Sequence, residues 1–170
     1  MARAKTLFDL VAASQGEPGD MLATMNRELC RQNDAGMYLT AVCGVLDIGT
    51  REVTFATAGH EPPILVPVRG VPGALNTEGG RVLGLMDDGD GGYPTTTTTL
   101  EKGESLVMYT DGVSEATTPA GEELGRDGLM DIARKVDPGP AETLGTQLTS
   151  ALRAASVMLM PSCSRRATTA

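Results

Sequence analysis

Aromatic residues, histidine and cysteine are scarce in this chain, and each scarcity bears on the kind of protein it can be. The 170 residues include no Trp, three Tyr, two Phe and one His. The core must therefore be aliphatic, and with 21 Gly and 10 Pro it is thin for the length, which predicts marginal stability. The cysteines, Cys30, Cys43 and Cys163, form no Cys-x-x-Cys pair. This usage indicates neither a disulfide framework nor a zinc knuckle and favours reduced thiols in a cytoplasm.

Basic residues and long apolar runs are also few. Lys and Arg number 14 against 22 Asp and Glu, for a net charge of −8. That balance argues against a protein that coats nucleic acid, because such a protein needs a basic face for the phosphates. No segment approaches the roughly 18 consecutive apolar residues of a membrane span. A hydrophobic content of 41 % at this length instead predicts a soluble globular domain.

The spacing of apolar residues predicts an α+β fold with antiparallel sheet and helices on its outside. Apolar residues recur at helical spacing in four segments, at 1–13, 18–33, 124–136 and 141–155. Runs rich in β-branched residues or of alternating polarity predict strands at 37–47, 51–58, 64–68, 93–100 and 105–109. A hairpin loop is predicted at 48–50 and a longer Gly- and Pro-rich loop at 69–80.

Asp111 is the strongest candidate for a functional side chain. It follows a strand predicted to be buried and precedes Gly112. A carboxylate in that setting is held firmly and can point at a hard cation. The alternative interpretation is an aspartate that caps a turn.

Two further polar residues each have a functional and a structural interpretation. His60, the only histidine, lies in a Gly-His-x-Pro-Pro corner. It is either a general acid or, the interpretation we favour, a residue that fixes the turn by hydrogen bonding. Glu115 either supports the Asp111 segment or, again favoured, is a solvated glutamate at the start of a helix.

The remaining candidates favour structural roles. Asp87, Asp88 and Asp90 form an acidic cluster, but their spacing is not that of a Ca²⁺ loop, so a solvated loop is favoured. Asn26 is predicted to pack or cap a helix. The pair at residues 79–80 lacks the Lys-Ser/Thr of a phosphate loop and therefore indicates no nucleotide site.

Several segments together resemble one family. They read Met-Tyr-Leu-Thr-Ala at 37–41, Ala-Gly-His-Glu-Pro-Pro at 58–63, Leu-Gly-Leu at 83–85 and Leu-Val-Met-Tyr-Thr-Asp-Gly-Val-Ser-Glu-Ala at 106–116. A Met-Asn pair at 25–26 is similar to the family's helical Leu-Asn pair. In order and spacing they resemble the bacterial SpoIIE-like branch of the metal-dependent PPM-type protein serine/threonine phosphatases.

The resemblance implies a fold, a reaction and a set of partners. The fold would be a four-layer α/β/β/α sandwich of antiparallel sheets, incomplete in this chain. The reaction would be hydrolysis of a phosphoserine or phosphothreonine by a water bridging two Mn²⁺ or Mg²⁺ ions. The substrate would be a phosphorylated regulatory protein, typically an anti-anti-sigma factor. Asp111 and Gly112 would belong to the metal site.

The chain also departs from the family pattern. Met1 resembles a point inside the family's first long helix, so the upstream aspartates are missing, and the residues from Ser156 onwards contain no acid. We expect a partial phosphatase domain at 1–155 and a divergent tail at 156–170, explained by a late start site and a frameshift near Ala155.

These departures leave two other interpretations open. One is an inactive fragment or pseudophosphatase that acts as a protein-binding module. The other is a homodimer, because missing strands leave sheet edges unpaired.

Overall fold

The computed structural model describes residues 2–13, 16–31, 33, 36–75, 77–87, 92–137 and 139–155. Within them the elements run α1 (Ala2–Ala12), α2 (Pro18–Cys30), β1 (Ala41–Asp47), β2 (Glu52–Ala58), β3 (Ile64–Val66), β4 (Gly73–Ala74), β5 (Thr95–Thr99), β6 (Ser105–Val107), α3 (Asp111–Ser114), α4 (Gly125–Ala133) and α5 (Ala141–Ala155). The chain divides into two compact units. Unit 1 is Met1–Pro62 with Asn76–Leu100, and unit 2 is Pro63–Leu75 with Glu101–Ala170.

Unit 1 contains a three-stranded antiparallel sheet in the order β1-β2-β5. The hairpin between β1 and β2 is closed by Asp47, whose Oδ1 accepts the N–H groups of Gly49 and Thr50 at 2.7 and 3.1 Å. Arg51 completes the turn with a φ of 63°. This confirms the hairpin predicted at 48–50, and its cause is an Asx-type side-chain bond.

Helices α1 and α2 supply the other half of the unit 1 core. Pro18 opens α2, where a missing N–H costs nothing. Of the apolar stripe predicted for α2, Met21, Leu22 and Met25 are buried and Leu29 is partly buried, and all pack with residues of the sheet and of the adjacent loops. The members of this cluster are Val11, Met21, Leu22, Met25, Cys43, Ala56, Ala58, Leu83 and Tyr93.

Unit 2 contains a second antiparallel sheet in the order β4-β3-β6, together with α3, α4 and α5. Its core is formed by residues of α4 and α5, of β3 and of the segment that follows β6. The buried members are Ile64, Val66, Tyr109, Leu129, Met130, Ile132, Ala133, Leu144, Leu148 and Leu152. The α+β class with antiparallel sheets is thereby confirmed. None of the helices within the described residues is long and apolar enough to cross a membrane.

Several predicted boundaries are wrong, and the shortest elements were not predicted. The strand expected at 105–109 ends at Val107, and it is half-buried rather than fully buried. The strand expected at 64–68 ends at Val66, and the one expected from residue 37 begins at Ala41. Both β3 and β6 are limited to the three residues that pair with each other. β4 and α3, at two and four residues, are too short to show an apolar period.

Candidate metal centre

Asp111 is the first residue of α3, in the loop-to-helix segment that follows β6. Tyr109, 7 % exposed in the core of unit 2, anchors the chain two residues earlier. Thr110 is extended, with φ −102° and ψ 164°, and its carbonyl accepts the N–H of Val113 at 2.9 Å. A buried aromatic residue and a helical turn together therefore fix the backbone that carries Asp111.

The Asp111 carboxylate itself is exposed and takes part in a local hydrogen bond. Its Oδ1 accepts the backbone N–H of Gly112 at 2.8 Å. The Asp111 carbonyl accepts the Ser114 hydroxyl at 3.1 Å and the Glu115 N–H at 2.8 Å. The turn-capping interpretation and the metal-ligand interpretation are both compatible with this geometry, because a carboxylate has more acceptor sites than one N–H uses.

Gly112 is not required by the packing of the described residues. A Cβ at this position would meet only the Thr110 Oγ1, at 3.7 Å, which is an ordinary contact. The role of Asp111 and Gly112 as metal ligands stays a prediction.

Glu115 does not lie where it was predicted. It is the C-cap residue of α3 and exposed, so it follows a helix and does not start one. Its contact with Asp111 is made by its backbone N–H. The prediction of a helix-start glutamate is wrong because the four-residue helix α3 precedes it and the next helix, α4, begins only at Gly125.

His60 lies in unit 1, half-buried, two residues after the end of β2. Its Nδ1 is 3.1 Å from the Thr40 Oγ1, which precedes β1. Gly59, just before it, has a φ of 64° and donates its N–H to the Gly80 carbonyl at 2.8 Å. This supports the structural interpretation, in which His60 fastens the corner to the neighbouring segment by a hydrogen bond.

Asn26 is buried in α2 and binds a distant loop. Its Oδ1 accepts the Gly84 N–H at 2.7 Å, and its Nδ2 donates to the Met86 carbonyl at 2.9 Å. Gly84 has a φ of 86°, a conformation that favours glycine. The predicted packing role is confirmed, whereas a capping role is not, because Asn26 lies inside the helix.

Asn33, the last residue of the segment predicted as a helix at 18–33, is a second residue that binds a loop, and this contact was not predicted. Its Nδ2 donates to the carbonyls of Met37 and Gly84, each at 2.6 Å, and its Oδ1 accepts the Met37 N–H at 2.7 Å. An asparagine shortly after a helix end is a known helix-terminating signal. That signal agrees with the predicted end of the second helix, but no local signal could reveal the contact of Asn33 with Gly84, 51 positions away.

Within the described residues, the remaining acidic and cysteine candidates do not form a cluster of metal ligands. Asp87 is exposed, while Asp88 and Asp90, like Cys163 and the tail from Ser156, lie outside the described residues. Among the residues that are described, no three His, Cys, Asp or Glu side chains are grouped closely enough to hold a metal ion. Burial raises the pKa of the Cys43 thiol, which makes that cysteine a poor thiolate ligand.

Comparison with known proteins gives the family. The family model of stage II sporulation protein E (SpoIIE) matches residues 1–160. This chain is 34 % identical to the protein IcfG of Synechocystis sp. over 98 residues, which make up 58 % of its length. Over 121 residues, 71 % of this chain, it is 30 % identical to the phosphoserine phosphatase RsbU of Bacillus subtilis. The chain spans only 15 % and 36 % of these two relatives.

Solved structures agree on the fold. The SiaA-PP2C domain of Pseudomonas aeruginosa matches with a TM-score of 0.74 and 19 % identity, over 92 % of this chain and 61 % of that one. The RsbU and RsbW domains of Rv1364c from Mycobacterium tuberculosis match with a TM-score of 0.72 and 23 % identity, over 92 % of this chain and 43 % of that one. The chain therefore belongs to the SpoIIE family, the SpoIIE-like branch of the PPM-type phosphatases.

Proposed function

We propose that this chain is part of a SpoIIE-like phosphatase that removes phosphate from a serine or threonine of a regulatory protein such as an anti-anti-sigma factor. The observation that carries the proposal is the family match over residues 1–160, which includes the whole Asp111 segment. The name of its relative RsbU, a phosphoserine phosphatase, supports the same reaction class.

The metal requirement belongs to this proposal. PPM-type phosphatases generally use Mn²⁺ or Mg²⁺, and each such ion needs several oxygen ligands. Asp111 and the carbonyl of Gly112 would supply some of them. The described residues do not fit a pair of ions by themselves, because no cluster of acidic groups surrounds Asp111 among them.

This misfit favours a second candidate function, a protein-binding module without catalysis. A module of this kind would keep the fold and its surface and bind the same regulatory protein. The two candidates differ in one measurable property, which is metal-dependent turnover.

Hydrolysis of a generic aryl phosphate over a Mn²⁺ titration separates the candidates. The phosphatase proposal requires turnover that rises with Mn²⁺, disappears with a chelator and falls at least tenfold in Asp111→Asn. Asp127→Asn is the matched control, since Asp127 is an exposed acid in the first turn of another helix of unit 2, and it should keep the activity. Absence of turnover at every Mn²⁺ concentration would overturn the phosphatase and leave the binding module.

The cellular setting follows from the same proposal. The partner is a phosphorylated protein, and the charge of −8 argues against a nucleic-acid partner. We place the protein in the cytoplasm without membrane attachment, and we include a homodimer among its states. Release of phosphate from a phosphorylated anti-anti-sigma factor, compared with release from the aryl phosphate, tests the substrate class.

A further inference from the structure

We draw no further inference here: the strongest candidate, the surface patch of exposed apolar side chains on the segments 37–39 and 83–86 of unit 1 (Met37, Tyr38, Leu85 and Met86), carries nothing because no feature of the described residues shows what covers it.

Discussion

Asn26 occupies one position of a helix, yet its side chain determines the path of a loop about sixty residues later. It is 5 % exposed, and both ends of its amide bind backbone groups of the 84–86 segment. A buried amide makes such bonds because leaving it unpaired would cost the free energy of desolvation. Asn26 is thus a structural residue of unit 1.

Replacing Asn26 by Ala should lower the free energy of unfolding by about 2 to 3 kcal/mol. The change removes two hydrogen bonds to the 84–86 backbone and a weaker one from the Cys30 thiol, and it leaves the Gly84 N–H buried without the Asn26 acceptor. Chemical denaturation of the two proteins measures the difference. Glu28→Ala, on the same helix, removes a solvent-exposed ion pair with Arg31 and should cost about 0.5 kcal/mol. Equal effects of the two changes would contradict this account.

Asp111 shows what a residue pattern can and cannot predict. The position after β6 and the neighbouring glycine singled it out, and the structure places it there with a firmly held backbone. Its exposure and its bond to the Gly112 N–H were not predictable, because they depend on α3, a helix of four residues. The hydrogen-bond partner of His60 was not predictable from the sequence either, because Thr40 lies twenty residues away along the chain.

At the scale of elements, the segments predicted most accurately are those with many residues on one period. The helix predicted at 141–155 has those bounds in the structure, and β2 begins one residue later than predicted. By contrast, β3, β4 and β6 are limited by how many residues can pair with their neighbours. Such limits are tertiary, so no local pattern could reveal them.

The contact between the 79–80 loop and the residues before β5 gives a prediction at this scale. A Cβ on Gly80 would lie 2.2 Å from the Tyr93 ring and 2.8 Å from the Thr57 carbonyl, so the loop must move away from both. Gly80→Ala should therefore lower the stability by about 1 to 3 kcal/mol, the usual cost of overpacking.

Gly79→Ala is the adjacent control. Its Cβ would meet only the Thr57 hydroxyl, at 3.7 Å, and we expect little change in the thermal midpoint. If the two variants unfold at the same temperature, the close approach of Gly80 to Tyr93 does not constrain the loop.

For the whole molecule, the thin aliphatic core predicts a low thermal midpoint, at or below the lower end of the roughly 45 to 65 °C range of mesophilic domains. Calorimetry on the purified chain measures the midpoint, and a sharp, high midpoint would contradict this expectation.

The division into two units has a consequence for synthesis and folding. The chain begins in unit 1 and passes at Pro63 into unit 2, where it forms the β3–β4 hairpin. It returns to unit 1 at Asn76 and passes into unit 2 again at Glu101. During synthesis on the ribosome, unit 1 cannot be completed until residue 100 has emerged. By then the first segment of unit 2 has been synthesised, but β6 and the helices that it packs with have not. Neither unit corresponds to one continuous stretch of the gene, so no single truncation of the chain yields either unit alone.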